Sequence, residues 1–136
     1  MKHLISLFLS MSILSNLHAQ TPVGQWKVIS DIFVYDGQKI NSHAALLKQR
    51  PCAANIVYEF NADGTYRLNA SKSGCDDRYI KIQEKLWSKS TWKLNGNKLF
   101  VGGKEGIGQT FTVTFSNNKM TCVGTEGRGT IVYQKL

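Results

Sequence analysis

Three tight-turn signals, each set between alternating apolar and polar runs, constrain this chain most: Asn61-Ala62-Asp63-Gly64, Asn95-Gly96-Asn97 and Asn117-Asn118. Asn, Asp and Gly tolerate the positive φ of short hairpin turns, so the flanking strands must pair antiparallel with their neighbours. Those strands are Ile56 to Phe60 with Thr65 to Leu68, Thr91 to Leu94 with Leu99 to Val101, and Thr110 to Phe115 with Met120 to Val123. A long first strand, Trp26 to Tyr35, ends at the turn pair Asp36-Gly37, and Thr130 to Leu136 closes the chain. Between them Ser42 to Arg50, with Ala44, Ala45, Leu46 and Leu47, favours a short helix that Pro51 stops. Residues 79–94 fit two periods. Tyr79, Ile82 and Leu86 mark a helical face, whereas Ile80, Ile82, Leu86, Trp92 and Leu94 share one face of an extended chain. The extended reading is preferred because a strong hairpin follows directly. The expectation is an all-β antiparallel meander of eight strands, or nine if 79–94 divides, with one short helix after the first strand. A meander has exposed edges unless it closes, so an up-and-down barrel is expected. No repeat of fixed period suggests a propeller or solenoid.

Residues 1–19 read as a secretory signal: Lys2, an apolar stretch from Leu4 to Leu14, and a cleavage site at Leu17-His18-Ala19. The apolar run is short for a membrane span. The expected product is residues 20–136 as one soluble, exported barrel domain, periplasmic or secreted and monomeric. Export permits disulfides, and of Cys52, Cys75 and Cys122 the first two flank the hairpin whose turn is 61–64. Opposing Phe60 with Tyr66 brings Cys52 and Cys75 nearly abreast at its open end, so these two are expected to bridge. Cys122, in an apolar strand, is then a buried free thiol.

Gly24-Gln25-Trp26 at the head of the first strand resembles the Gly-x-Trp that begins the lipocalin fold. The 60–66 hairpin on Asn-x-Asp-Gly, the flanking Cys pair, Thr91-Trp92-Lys93-Leu94 before a Gly turn, and the basic last strand resemble short bacterial lipocalin-like domains over residues 22–136. The resemblance implies a small barrel that binds an apolar ligand. It also implies that Trp26, with Gly24, packs at the closed end beneath a basic side chain, for which Lys135 is the nearest match and Arg128 the second.

An eight-stranded barrel is either filled by side chains or holds one small ligand. If Trp26 points inward, strand alternation makes Val28, Ile32, Val34, Tyr58, Phe60, Tyr66, Leu68, Trp92, Phe111, Val113 and Phe115 the candidate lining, with Ile56, Leu94, Leu99 and Val101 beside them. Each is also an ordinary core residue, and a cavity of roughly 300 Å³ or more is what separates the two readings. Such walls suit a small hydrophobic or amphiphilic molecule bound without catalysis. The alternative is a filled barrel that works through its surface, as an interaction or inhibitor module.

The formal net charge of +8 favours anionic partners. Lys81, Lys85, Lys89 and Lys93 recur every fourth residue, a spacing that puts them near one face in helix or strand. The stripe is either a solvated face or a contact for an anionic envelope surface. Nucleic acid is not expected, since no binding motif is present. Ser73-Gly74-Cys75-Asp76-Asp77-Arg78-Tyr79 faintly resembles the Ser-Gly-x-x-Tyr loop of periplasmic lysozyme inhibitors, but extra residues break the match. His3 and His18 fall in the leader, so His43 stands alone in the domain. No Ser-His-Asp order, phosphate loop or zinc spacing occurs, and Asp63, Asp76 and Asp77 come from separate loops. Neither enzyme activity, metal nor cofactor is expected.

Overall fold

The computed structural model describes residues 20–103 and 106–136, so the leader read at 1–19 lies outside the described residues. Its longest strand, β1 (Gly24–Tyr35), pairs with three others. The start of β1 meets β3 (Val57–Phe60), its length from Trp26 to Phe33 meets the last strand β9 (Gly129–Lys135), and its far end folds back on β2 (Gln38–Asn41). From β3 the sheet runs through β4 (Thr65–Asn69), β5 (Ser90–Asn95), β6 (Lys98–Gly103), β7 (Gly108–Ser116) and β8 (Lys119–Gly124) to β9. Because β9 returns to β1, eight strands close a barrel and β2 stands outside the ring.

Local chemistry accounts for the hairpins. Phe60 opposes Tyr66, and the β7–β8 turn holds Asn117 and Asn118 at φ 51 and 61, conformations that asparagine tolerates. The tight turns at 61–64, 96–97 and 117–118 lie at the end where β1 starts and β9 finishes, and only the β1–β2 turn at Asp36-Gly37 lies at the other. The long connections all lie at the other end, which is therefore the open mouth.

Residues 79–94 correct the extended reading. Asp77–Leu86 is a helix, α2, and only Ser90–Asn95 is strand. The ninth strand is therefore 38–41 and not a half of 79–94, and the domain has two α-helices where one was expected. Asp76 caps α2, its carboxylate accepting from the Tyr79 N–H at 2.9 Å, and Asp77 sits in the first turn, where the helix dipole favours an anion. The Glu84 carboxylate accepts from the Ala70 N–H at 3.0 Å. Tyr79, Ile80 and Trp87 pack on a side core of Ala53, Ile56, Leu68 and Ala70. The expected first helix, α1 (Ser42–Gln49), is capped by Asn41 and followed by a 3-10 turn from Pro51.

Cys52 and Cys75 are bridged, with Cα atoms 5.3 Å apart, and Cys122 is free and buried. Next to the bridge, Arg50 pairs with Asp76 at 2.7 Å and lies 3.9 Å over the Tyr79 ring. The segment after α1 is thus tied to the start of α2, which fixes both helices beside the mouth.

Candidate functional site

The closed end is solid. Trp26 is 2% exposed, and its indole N–H donates to the Pro22 carbonyl at 2.7 Å. Lys135 opposes Trp26 across β1–β9, with its Nζ 5.5 Å from the ring centroid. A Cβ on Gly24 would stand 3.2 Å from Lys135 Cε, so the glycine makes room for that lysine. Arg128 is at the opposite end, paired with Glu126 at 2.7 Å. Above Trp26 the core holds Phe60, Leu99, Met120 and Tyr133, with Phe60 edge-on to Tyr66 at 4.7 Å. The Trp92 indole donates to the Asn61 carbonyl at 2.8 Å, and Phe115 opposes Met120.

The open end is hollow. Three adjoining clefts of about 710, 410 and 360 Å³ meet at Gln109 and Ile131, which line all three. The largest opens between the end of β1 and the β8–β9 connection, past Asp31, Phe33 and Arg128. The second runs under Leu86, Trp87 and Ile107, and the third lies between α1 and the lumen tyrosines. Of the lining expected from alternation, Val28, Val34, Tyr58, Tyr66 and Phe111 border these clefts. Phe60, Trp92, Val113 and Phe115 pack in or against the main core instead, and Leu68 belongs to the side core.

The alternation in β1 breaks at a bulge. Its register against β9 slips between Val28 and Ser30: Val28 opposes Tyr133, but Asp31 opposes Ile131 and Ile32 opposes Thr130. One extra residue reverses which side chains face in. Ile32 therefore shares the outer face with Thr130, contrary to the expected lining, while Val34, 44% exposed, borders the largest cleft at the edge of the mouth. Asp31 takes the inner place. Asp31, His43, Trp87, Gln109, Ile131 and Tyr133 are among the cleft residues that alternation from Trp26 did not find. Ile131 and Tyr133 lie on the closing strand, for which the sequence reading assigns no inner face, and Trp87 falls in the segment read as extended.

Burial sets the chemistry of these groups. Desolvation holds the His43 imidazole below the usual 6.5, with nearby Asp31 opposing the shift. Burial pushes the Tyr58 phenol up to about 12, and Tyr66 and Tyr133 also upward, so all three remain neutral hydroxyls at physiological pH. Cys122, on the wall opposite Val113 and Ile131, is likewise pushed up to about 12 by burial, which suits an inert thiol and not a nucleophile. Among the described residues no group of three or more His, Cys, Asp or Glu is placed to hold a metal ion, and no helix is long and apolar enough to cross a membrane.

The four-residue lysine spacing crosses three elements. Lys81 and Lys85 lie one turn apart on α2, Lys89 follows the helix and Lys93 is on β5, so the stripe is not a single regular face. Beside the α2 lysines, Ile82 and Leu86 are 48% and 67% exposed.

A closed antiparallel barrel with one packed end and one open, ring-lined end defines a calyx, the class of fold that surrounds a small molecule with strands. The chain belongs to the lipocalin-like domain family, whose model matches residues 23–122. No curated protein and no solved structure matches the chain significantly.

Proposed function

We propose that this protein is an exported, non-catalytic carrier that holds one small apolar or amphiphilic molecule in the open half of its barrel. The observation that carries this reading is the pair of clefts of about 410 and 360 Å³ that share Tyr66, Trp87, Gln109, Ile131 and Tyr133. Each exceeds the roughly 300 Å³ at which a ligand pocket becomes reasonable. Their aromatic walls supply apolar contact area, while Gln109 and the tyrosine hydroxyls supply a few oriented polar groups. Export is supported by the apolar leader at 1–19 and by the Cys52–Cys75 bridge.

The test is native mass spectrometry of the protein purified from its host envelope. A co-purifying lipid or other apolar mass, lost on mild denaturation, is the expected result. Apoprotein that also fails to bind N-phenyl-1-naphthylamine would overturn the carrier reading. N-terminal sequencing of the same sample, expected to begin at Gln20, tests export. A second reading, contact with an anionic envelope surface, is supported by Lys81 and Lys85 beside exposed Ile82 and Leu86. Flotation with anionic but not zwitterionic vesicles would favour it, and no flotation with either would remove it.

A further inference from the structure

We propose that the lumen selects apolar molecules bearing a protonated amine, which Asp31 receives, and discriminates against free carboxylates such as fatty acids. The inference rests on the carrier reading above. Four observations converge on Asp31. The β1 bulge turns it to the inner face opposite Ile131, and it borders two of the three clefts. Its backbone is fixed from α1, because the Ser42 hydroxyl donates to the Asp31 carbonyl at 3.1 Å. Among the described residues its carboxylate has no hydrogen bond or ion pair, the two ion pairs being Arg50–Asp76 and Arg128–Glu126. It also lies close enough to His43, Tyr58 and Tyr133 to act on them electrostatically.

Among the described residues the other charged group on these clefts is Arg128, whose side chain is 80% exposed at the mouth and held by Glu126. His43 is kept neutral by burial. A fatty-acid carboxylate drawn into the lumen would therefore lose its water beside another carboxylate, with no inner cation among the described residues to compensate. An ammonium group meets the opposite situation. It gains a charge-assisted hydrogen bond to Asp31, in a cleft that Tyr58 and Tyr133 also line. The overall positive charge of the protein does not cancel this preference, because charges beyond about 8 Å are largely screened at physiological salt.

Displacement of N-phenyl-1-naphthylamine by dodecylamine, dodecanol and dodecanoate, each below its micellar range at neutral pH, tests the proposal on the full folded domain. Dodecylamine should bind about tenfold or more tightly than dodecanoate, with dodecanol between them. Asp31→Asn should bring dodecylamine down to the level of dodecanol measured on the same variant, while Asp31→Glu should keep the amine preference. The wild-type order decides the matter if a variant fails to fold. Dodecanoate binding as tightly as dodecylamine, or an amine preference that survives Asp31→Asn, overturns the proposal and leaves the carrier reading standing. Failure of the naphthylamine and of all three amphiphiles to bind overturns the carrier reading and this inference together.

Discussion

The two ends of this barrel are built from the same alternating strands, yet one is solid and the other hollow. At the closed end tight hairpin turns hold neighbouring strands together, and Trp26, Phe60, Leu99 and Met120 fill the space, each 2% exposed or less. At the mouth the strands are joined by longer excursions through α1, α2 and the β6–β7 and β8–β9 connections. Their described residues line the clefts. Phe33, Leu86 and Ile107 remain exposed on the rim, Ile107 at 78%. The contrast shows that alternation supplies an apolar interior, whereas side-chain volume against connection length determines whether it is filled. Stability should therefore depend chiefly on the closed end and binding on the open one.

The sharpest way to break that division is Trp26→Ala. Loss of a buried aromatic at the closed end should cost about 3 to 5 kcal/mol, read by urea denaturation. A melting temperature close to wild type would show that the closed end is not the stabilising half. Replacing both Cys52 and Cys75 by Ser should cost about 3 kcal/mol in the chain-entropy view, because the bridge joins positions 23 apart and restrains the unfolded chain. A much larger loss would mean that the bridge also holds the mouth helices in place. Gln109→Trp probes the other half. The residue is exposed and lines all three clefts, so an indole there should weaken naphthylamine binding about tenfold or more. Stability should change by less than about 0.5 kcal/mol, as for other surface sites. Unchanged affinity would place the ligand elsewhere.

The smallest effect expected is a pH slope from His43. Burial lowers its folded-state value below 6.5, so the unfolded chain takes up the proton first. Stability from this group is complete above 6.5 and falls as pH drops through that value, until the folded-state imidazole is also protonated. His43→Gln should remove that part of the slope in denaturation series across mildly acidic pH. An unaltered slope would assign it to other groups.

Much of the architecture was legible from short-range chemistry. Asn and Gly at 61–64, 95–97 and 117–118 dictate turns, alternation dictates which flanking residues can share a face, and Pro51 limits α1. The opposition of Phe60 and Tyr66 points Cys52 and Cys75 to the same end of the hairpin, and they do bridge there, although the ladder itself stops at Val57–Asn69 and Cys52 lies in the 3-10 turn beyond it. What escaped that reading depends on the rest of the molecule. Asp76 becomes a helix cap and Glu84 reaches Ala70 only where the side core of Ile56 and Leu68 gives α2 a surface to pack on.

The binding half shows the same limit at the level of single side chains. Turn chemistry and strand period act over a few residues, so they determined the meander, the bridge and the bulky interior. The bulge between Val28 and Ser30 is realised in the pairing of β1 with β9, strands at opposite ends of the chain, and a local pattern contains no sign of that slip. It exchanges Ile32 for Asp31 on the inner face and so changes the character of the site from wholly apolar to apolar with one carboxylate. Whether space remains at the mouth was likewise decided only in three dimensions, because a cavity is the volume left after all the walls have met.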